Sequence, residues 1–201
     1  MPLNRLLISA AACALLLLAA CSPQNDSTTA GSNAASAKPP KQEVTVEAVT
    51  ANTKGFTVGA MLSATTVYVF FDPQCPHCGH LWQASIPLQK KIRFVWIPVA
   101  WINASSMAQA AALLTAKDPF ALMTEHEASI LAGTHGIAAT AGVAPDIEQS
   151  IKGNTKMLNG FGAESVPFLV AKNGTTGQVV QHEGAMSTVE LAALLGIDAS
   201  H

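Results

Sequence analysis

The chain has 201 residues, of which only 12% are charged, and 13 acidic against 11 basic side chains leave a formal net charge of −2. A chain so sparsely and evenly charged, with no basic run, lacks the electrostatic footprint of a nucleic-acid binder. Its four cysteines are too few for the disulfide framework of a small stapled domain, so the thiols point to chemistry rather than cross-linking.

Residues 1–21 run from Arg5 through an apolar core containing Leu15-Leu16-Leu17-Leu18 to Ala19-Ala20-Cys21, the layout of a secretory signal rather than a spanning helix. The tetrapeptide Leu18-Ala19-Ala20-Cys21 resembles the lipobox of bacterial lipoproteins. That resemblance implies that Cys13 leaves with the signal and that Cys21 becomes the lipidated first residue of a periplasmic, membrane-anchored lipoprotein. A plain secretory cleavage site with Cys21 as a free thiol is the alternative. Residues 22–43 are Ser, Thr, Asn, Ala, Gln, Pro and Lys with hardly an apolar side chain, which predicts a flexible tether. No later apolar stretch is long enough to span a bilayer.

Residues 44–201 read as one α/β domain, within the usual single-domain size range. Val44, Val46 and Val49 alternate in part with polar residues and predict a short strand, and Phe56-Thr57-Val58 predicts another. Residues 67–71 (Val-Tyr-Val-Phe-Phe) are β-branched or aromatic and stop at Pro73, so they read as a buried strand. Leu81, Trp82 and Ile86 then fall at helical spacing, and residues 92–99 form a further strong strand, completing a β-α-β unit. Residues 105–155 are rich in Ala, Leu, Met and Glu with breaks at Asp118-Pro119 and Gly142-Val143-Ala144-Pro145, the pattern of a helical insertion. Residues 168–171 and 178–182 predict a hairpin turning at Lys172-Asn173-Gly174. Ser187-Thr188-Val189-Glu190 has the form of a capping box opening a terminal helix. Glu125, His126 and Glu127 read as a solvated helix face. Phe70, Phe71, Trp82, Phe94 and Trp96 read as core, with one or two at the rim of a groove.

The chemistry gathers at Cys75-Pro76-His77-Cys78. A Cys-x-x-Cys pair on a strand-to-helix turn places the first sulfur at the exposed N–H groups of the helix, where the dipole favours a thiolate, so Cys75 is the predicted nucleophile. A substrate thiolate attacks the Cys75–Cys78 disulfide at Cys75, and the mixed disulfide is resolved by a second substrate thiol or by Cys78. His77, between the sulfurs, can supply cationic or hydrogen-bonding stabilisation to the Cys75 thiolate, whereas His80 reads as a surface residue. No cofactor is expected. Copper or zinc on Cys75, Cys78, His77 and His80 is an alternative that lacks a second Cys/His pair at motif spacing, and Gly79 in place of His excludes haem attachment.

The run Thr66-Val67-Tyr68-Val69-Phe70-Phe71-Asp72-Pro73-Gln74-Cys75-Pro76-His77-Cys78, with Ala116-Lys117-Asp118-Pro119 and Gly162-Ala163-Glu164-Ser165-Val166-Pro167, resembles the catalytic domain of the periplasmic thiol:disulfide interchange proteins of the DsbC/DsbG family, nearest to DsbG. The likeness covers roughly residues 56–197. It implies a thioredoxin-like fold with a helical insertion and a protein disulfide oxidoreductase acting on substrate proteins with thiols or disulfides. It also implies that Pro167 is a cis-proline facing the dithiol, with Val166 pairing with an extended substrate strand. A membrane redox partner, a DsbB-like oxidase or a DsbD-like reductase, is implied in the same way.

Three departures qualify the resemblance. The polar stretch between Cys21 and the domain is too short for the family's N-terminal dimerisation domain, so the sequence predicts a monomer. Pro76-His77 and Val166 resemble the strongly oxidising DsbA more than DsbG, which places the expected activity on the oxidising side. An isomerase, reductase or chaperone-like role is the alternative. Last, Val69 stands six residues before Cys75, where thioredoxin and DsbA carry a buried carboxylate, so Cys78 must use water or another base.

Overall fold

The structure, a computed structural model, describes residues 41–140 and 142–198, all within one compact unit. The signal, Cys21 and all but the last residues of the tether lie outside the described residues. Lys41 and Gln42, read from composition as tether, lie against the domain: the Gln42 amide donates to the Gly160 carbonyl at 2.8 Å.

Five strands form a single sheet. They are β1 (Phe56–Gly59), β2 (Thr66–Phe71), β3 (Arg93–Pro98), β4 (Phe168–Lys172) and β5 (Val179–Glu183), in the order β1-β3-β2-β4-β5. Strands β2 and β3 are parallel, with Val69 opposite Trp96, and every other pairing is antiparallel. The parallel pair needs a crossover, supplied by α2 (Pro76–Ser85) and a 3-10 turn (Ile86–Lys90). This is the expected α/β thioredoxin-like fold, with α3 (Ala104–Leu114), α4 (Pro119–Leu131) and α5 (Pro145–Gly160) inserted between β3 and β4. The last helix, α6 (Thr188–Leu195), opens on a capping box. Ser187 accepts from the Glu190 amide, Glu190 accepts from the Ser187 amide, and Gly196 closes the helix at φ 63°.

The segment around Val46 departs from expectation. Val46–Asn52 is a helix, α1, because Thr45 caps it by accepting from the Ala48 amide at 3.1 Å, and Val46 and Val49 stand three apart on one helical face. A partial period of two over six residues cannot outweigh a cap, and Val49 is fully buried in the helical arrangement.

The centre of β2 is buried on both faces, and its Phe71 ring meets Trp96 edge-on at 5.6 Å. Trp82 of α2 packs against the same Trp96 ring at 5.1 Å, anchoring the helix that carries the cysteine pair to the sheet. Phe70, Phe71, Trp82, Phe94 and Trp96 are all within 1% of full burial, so none of them rims a groove. No helix among the described residues is long and apolar enough to cross a membrane.

Candidate active site

The end of β2 delivers Asp72, which is fully buried and organises the turn that follows. Its Oδ1 accepts from the Gln74 amide at 2.8 Å and from the Ser106 hydroxyl at 2.7 Å. Its Oδ2 accepts from the amides of Trp101 and Ile102 at 2.6 and 2.9 Å. Four donors on one carboxylate offset the cost of burying its charge. They also tie the loop after β3 to the start of α2. Gln74 extends the tie, donating to Gln109 Oε1 and the His135 carbonyl and accepting from Asn103 Nδ2 at 3.1 Å.

Cys75 is the N-cap of α2 and Pro76 its first residue, a position where the missing N–H of proline costs nothing. Cys75 is 5% exposed and Cys78 fully buried; both are free thiols. The Cys75 thiol is lowered from 9.0 to about 7, chiefly by a hydrogen bond from the Cys78 thiol, with the amides of Cys78 and His77 adding to it against the opposing effect of burial. Both amides belong to the first turn of the helix, whose dipole favours an anion at the cap; the Cys78 amide also donates to the Cys75 carbonyl at 3.0 Å. Burial pushes the Cys78 thiol well above its ordinary value, and the hydrogen bond it gives to Cys75 works in the same direction. The two sulfurs are thus driven apart, one toward thiolate and one toward thiol. His77 and His80 are exposed with their rings 6.5 Å apart, and the contribution of His77 visible at Cys75 is its backbone amide.

Val166-Pro167 is cis, and the Val166 carbonyl accepts from Cys75 Sγ at 3.3 Å. The loop is held from behind by Glu183 of β5, whose Oε2 accepts from the amides of Glu164 and Ser165 at 3.0 Å each, and by the Gly184 amide donating to the Pro167 carbonyl at 2.8 Å. Cys75, Val166, Ser165, Glu164, Trp101 and Ile102 line a shallow groove. Trp101 and Ile102 are 38% and 49% exposed. The structure therefore brings Cys75, Pro76, His77, Cys78, Val166 and Pro167 together, while Cys21 lies outside the described residues. Among the described residues no group of three or more His, Cys, Asp or Glu side chains could hold a metal ion.

Sequence reasoning missed Asp72 as an organiser and Trp101 and Ile102 as the apolar rim. It also placed His126 and Glu127 on a solvated face, which is corrected here: only Glu125 is exposed, whereas His126 is fully buried and Glu127 is 1% exposed. The signal was present, because Met123, His126, Glu127 and Ile130 stand at i, i+3, i+4 and i+7, a core stripe with two polar members. His126 Nδ1 accepts from the Ile137 amide at 3.2 Å, which leaves its Nε2–H to donate to the Pro73 carbonyl at 2.6 Å. Burial lowers its pKa, in keeping with a neutral ring. Gly136, at φ 82°, gives that ring its space.

The chain is 32% identical to the thiol:disulfide interchange protein DsbG of Pseudomonas aeruginosa over 132 residues, 65% of this chain and 50% of that protein. It is 33% identical to DsbG of Escherichia coli over 118 residues, 57% of this chain and 47% of that protein. Over that stretch the chain is similar to DsbG. It spans about half the length of the curated relatives it matches. Among solved structures, a periplasmic thioredoxin-like protein from Salmonella enterica serovar Typhimurium shares the fold. Its TM-score is 0.57 at 18% identity, over 77% of this chain and 97% of that one. No protein-family model matches.

Proposed function

We propose that this chain is a periplasmic thiol:disulfide oxidoreductase that exchanges disulfides with substrate proteins through Cys75 and Cys78. The observation that carries the reading is the asymmetry of the pair: a Cys75 thiol at about 7 opening onto a groove, and a fully buried Cys78 thiol pushed up behind it. A thiol with a value near ambient pH is the best attacking group, and exchange needs only one accessible sulfur. The likeness to DsbG supports the same chemistry. An extended substrate strand lies along the groove, its backbone pairing at Val166 and its apolar side chains resting on Trp101 and Ile102. His77 adds hydrogen-bonding stabilisation to the Cys75 thiolate through its backbone amide.

The preferred direction is oxidation. Stabilising the Cys75 thiolate stabilises the reduced protein, which raises the potential by about 30 mV per 1.4 kcal/mol. An oxidant of this kind is returned to the disulfide by a DsbB-like membrane oxidase. Isomerisation or reduction, with a DsbD-like reductase as partner, is the second reading, which the resemblance of the sequence motifs implies.

Support for a lipid anchor on Cys21 comes from Leu18-Ala19-Ala20-Cys21, and support for a monomer from the polar composition of residues 22–43. Substrate trapping tests the function. The Cys78→Ser protein should accumulate mixed disulfides with periplasmic proteins through Cys75, and an adduct-free Cys78→Ser protein would sink the reading. Cys21→Ala should move the protein from the membrane to the soluble fraction.

A further inference from the structure

Every exchange cycle through this pair moves a proton at Cys78. When a reduced Cys78 resolves a mixed disulfide it must lose its proton; when it leaves the Cys75–Cys78 disulfide it must regain one. Cys78 is fully buried, so bulk water is not in contact with it, and burial itself opposes ionisation. A base has to come from the protein.

One ionisable side chain stands behind the redox helix with nothing to do. Glu127 is 1% exposed, and neither carboxyl oxygen has a hydrogen-bond partner among the described residues. A buried carboxyl without partners is expensive, and burial together with the nearby charges of Cys75 and Asp72 raises its pKa well above the ordinary value. Its placement is specific. Helix α4 packs against α2, and Glu127 lies against Gly79, the residue after Cys78, so closely that a methyl group there would come within 2.9 Å of Oε2. His126, pinned between the Pro73 carbonyl and the Ile137 amide, fixes the rotation of α4 that aims Glu127 this way.

We propose that Glu127 is the proton relay for Cys78. The inference rests on the exchange activity proposed above. In resolution, the Glu127 carboxylate, which makes no hydrogen bond in this resting arrangement, turns onto the Cys78 S–H and takes its proton, and the resulting thiolate attacks Cys75. The Cys75–substrate S–S bond breaks, the Cys75–Cys78 bond forms, and the substrate sulfur leaves as thiolate. In the reverse sense, a substrate thiolate attacks Cys75, Cys78 leaves as thiolate, and the protonated Glu127 returns the proton. The raised proton affinity of the carboxyl narrows its gap to the thiol, which suits it to both directions. The titratable groups around it are Cys75 and Cys78, with the exposed His77 and His80 also on α2, Asp72 in the preceding turn, and His126 on its own helix. The neighbouring α3 and β1 carry none.

Stopped-flow reaction of the reduced full chain with dithiobis(nitrobenzoate) separates the steps. The first thionitrobenzoate released reports attack by Cys75, and the second reports resolution by Cys78. Glu127→Gln and Glu127→Leu should keep the first phase as fast as in the parent, its pH midpoint moving only downward as the neighbouring carboxylate charge is removed. They should slow the second by about tenfold or more at pH 7, with the deficit closing as pH rises and Cys78 ionises unaided. Glu127→Leu, which removes a buried unpartnered acid, should also melt no lower than the parent, so that a slower protein is not a less stable one. An unchanged second phase and pH profile would overturn the relay. So would a uniform slowing of both phases at every pH, accompanied by loss of stability. Failure of the parent itself to release thionitrobenzoate would instead refute the exchange reading on which the relay stands.

Discussion

The front and the back of the redox helix are built by opposite rules. At the front, Cys75 meets a groove rimmed by the exposed Trp101 and Ile102, and its charge is favoured by helix N–H groups and the Cys78 thiol. At the back, Cys78, His126 and Glu127 are dry, and burial opposes the charged form of each. The contrast shows how two identical side chains three residues apart acquire different chemistry. The turn sets which sulfur sees the amides, and the packing of α4 on α2 sets which sulfur is kept from water. Asp72 joins the two halves, since one carboxylate holds both the groove rim and the redox turn.

The largest effect on the front comes from removing its nucleophile. Cys75→Ser should reduce exchange to background in an insulin-reduction or dithiol-oxidation assay, and residual turnover would show that the buried sulfur can act alone. Next is the joint between the halves. Asp72→Ala leaves the amides of Gln74, Trp101 and Ile102 without their acceptor and should cost about 3 kcal/mol or more of stability, read from denaturant midpoints. A cost near zero would mean that the rim holds its place without Asp72.

The pH dependence sharpens the comparison at intermediate size. Cys75 in the folded protein titrates near 7, below the 9.0 of an ordinary thiol. Its contribution to the stability of the reduced form is therefore full above pH 9 and is lost as pH falls through about 7. At most about 2–3 kcal/mol is involved. Cys78 acts in the opposite sense: its contribution is present at low pH and is lost only on the alkaline side, above the ordinary thiol value. Reduced protein should thus gain stability between pH 7 and 9, and Cys75→Ser should not. Carboxamidomethylation at Cys75 should rise with a midpoint near pH 7, with Cys78 unmodified in the native state.

Most of the front was legible in the sequence because it is local. Residues 67–78 contain the strand, the stop, the helix start and both thiols, and local chemistry dictates how such a run folds. The back was not, because it depends on α4, about 50 residues away, packing its polar pair inward. Charge led His126 and Glu127 to be read as solvated, although their spacing from Met123 and Ile130 marks the stripe that packs inward. The Val46 segment failed for a different reason: six residues with three valines fit either period, and the Thr45 cap decided between them.

The smallest predicted effect is at His77, whose ring is exposed and where solvent screens any charge. His77→Leu should raise the Cys75 midpoint and lower the reduction potential together, by far less than the loss of Cys78 from behind Cys75 would do.

The central claim is that burial and helix amides separate the two sulfurs enough to make the pair an oxidant. Equilibration with glutathione buffers, followed by alkylation and intact-mass measurement, tests it directly. The account predicts a reversible Cys75–Cys78 disulfide with a potential less negative than the roughly −270 mV of thioredoxin; a potential at or below that value, or no intramolecular disulfide at all, would contradict it.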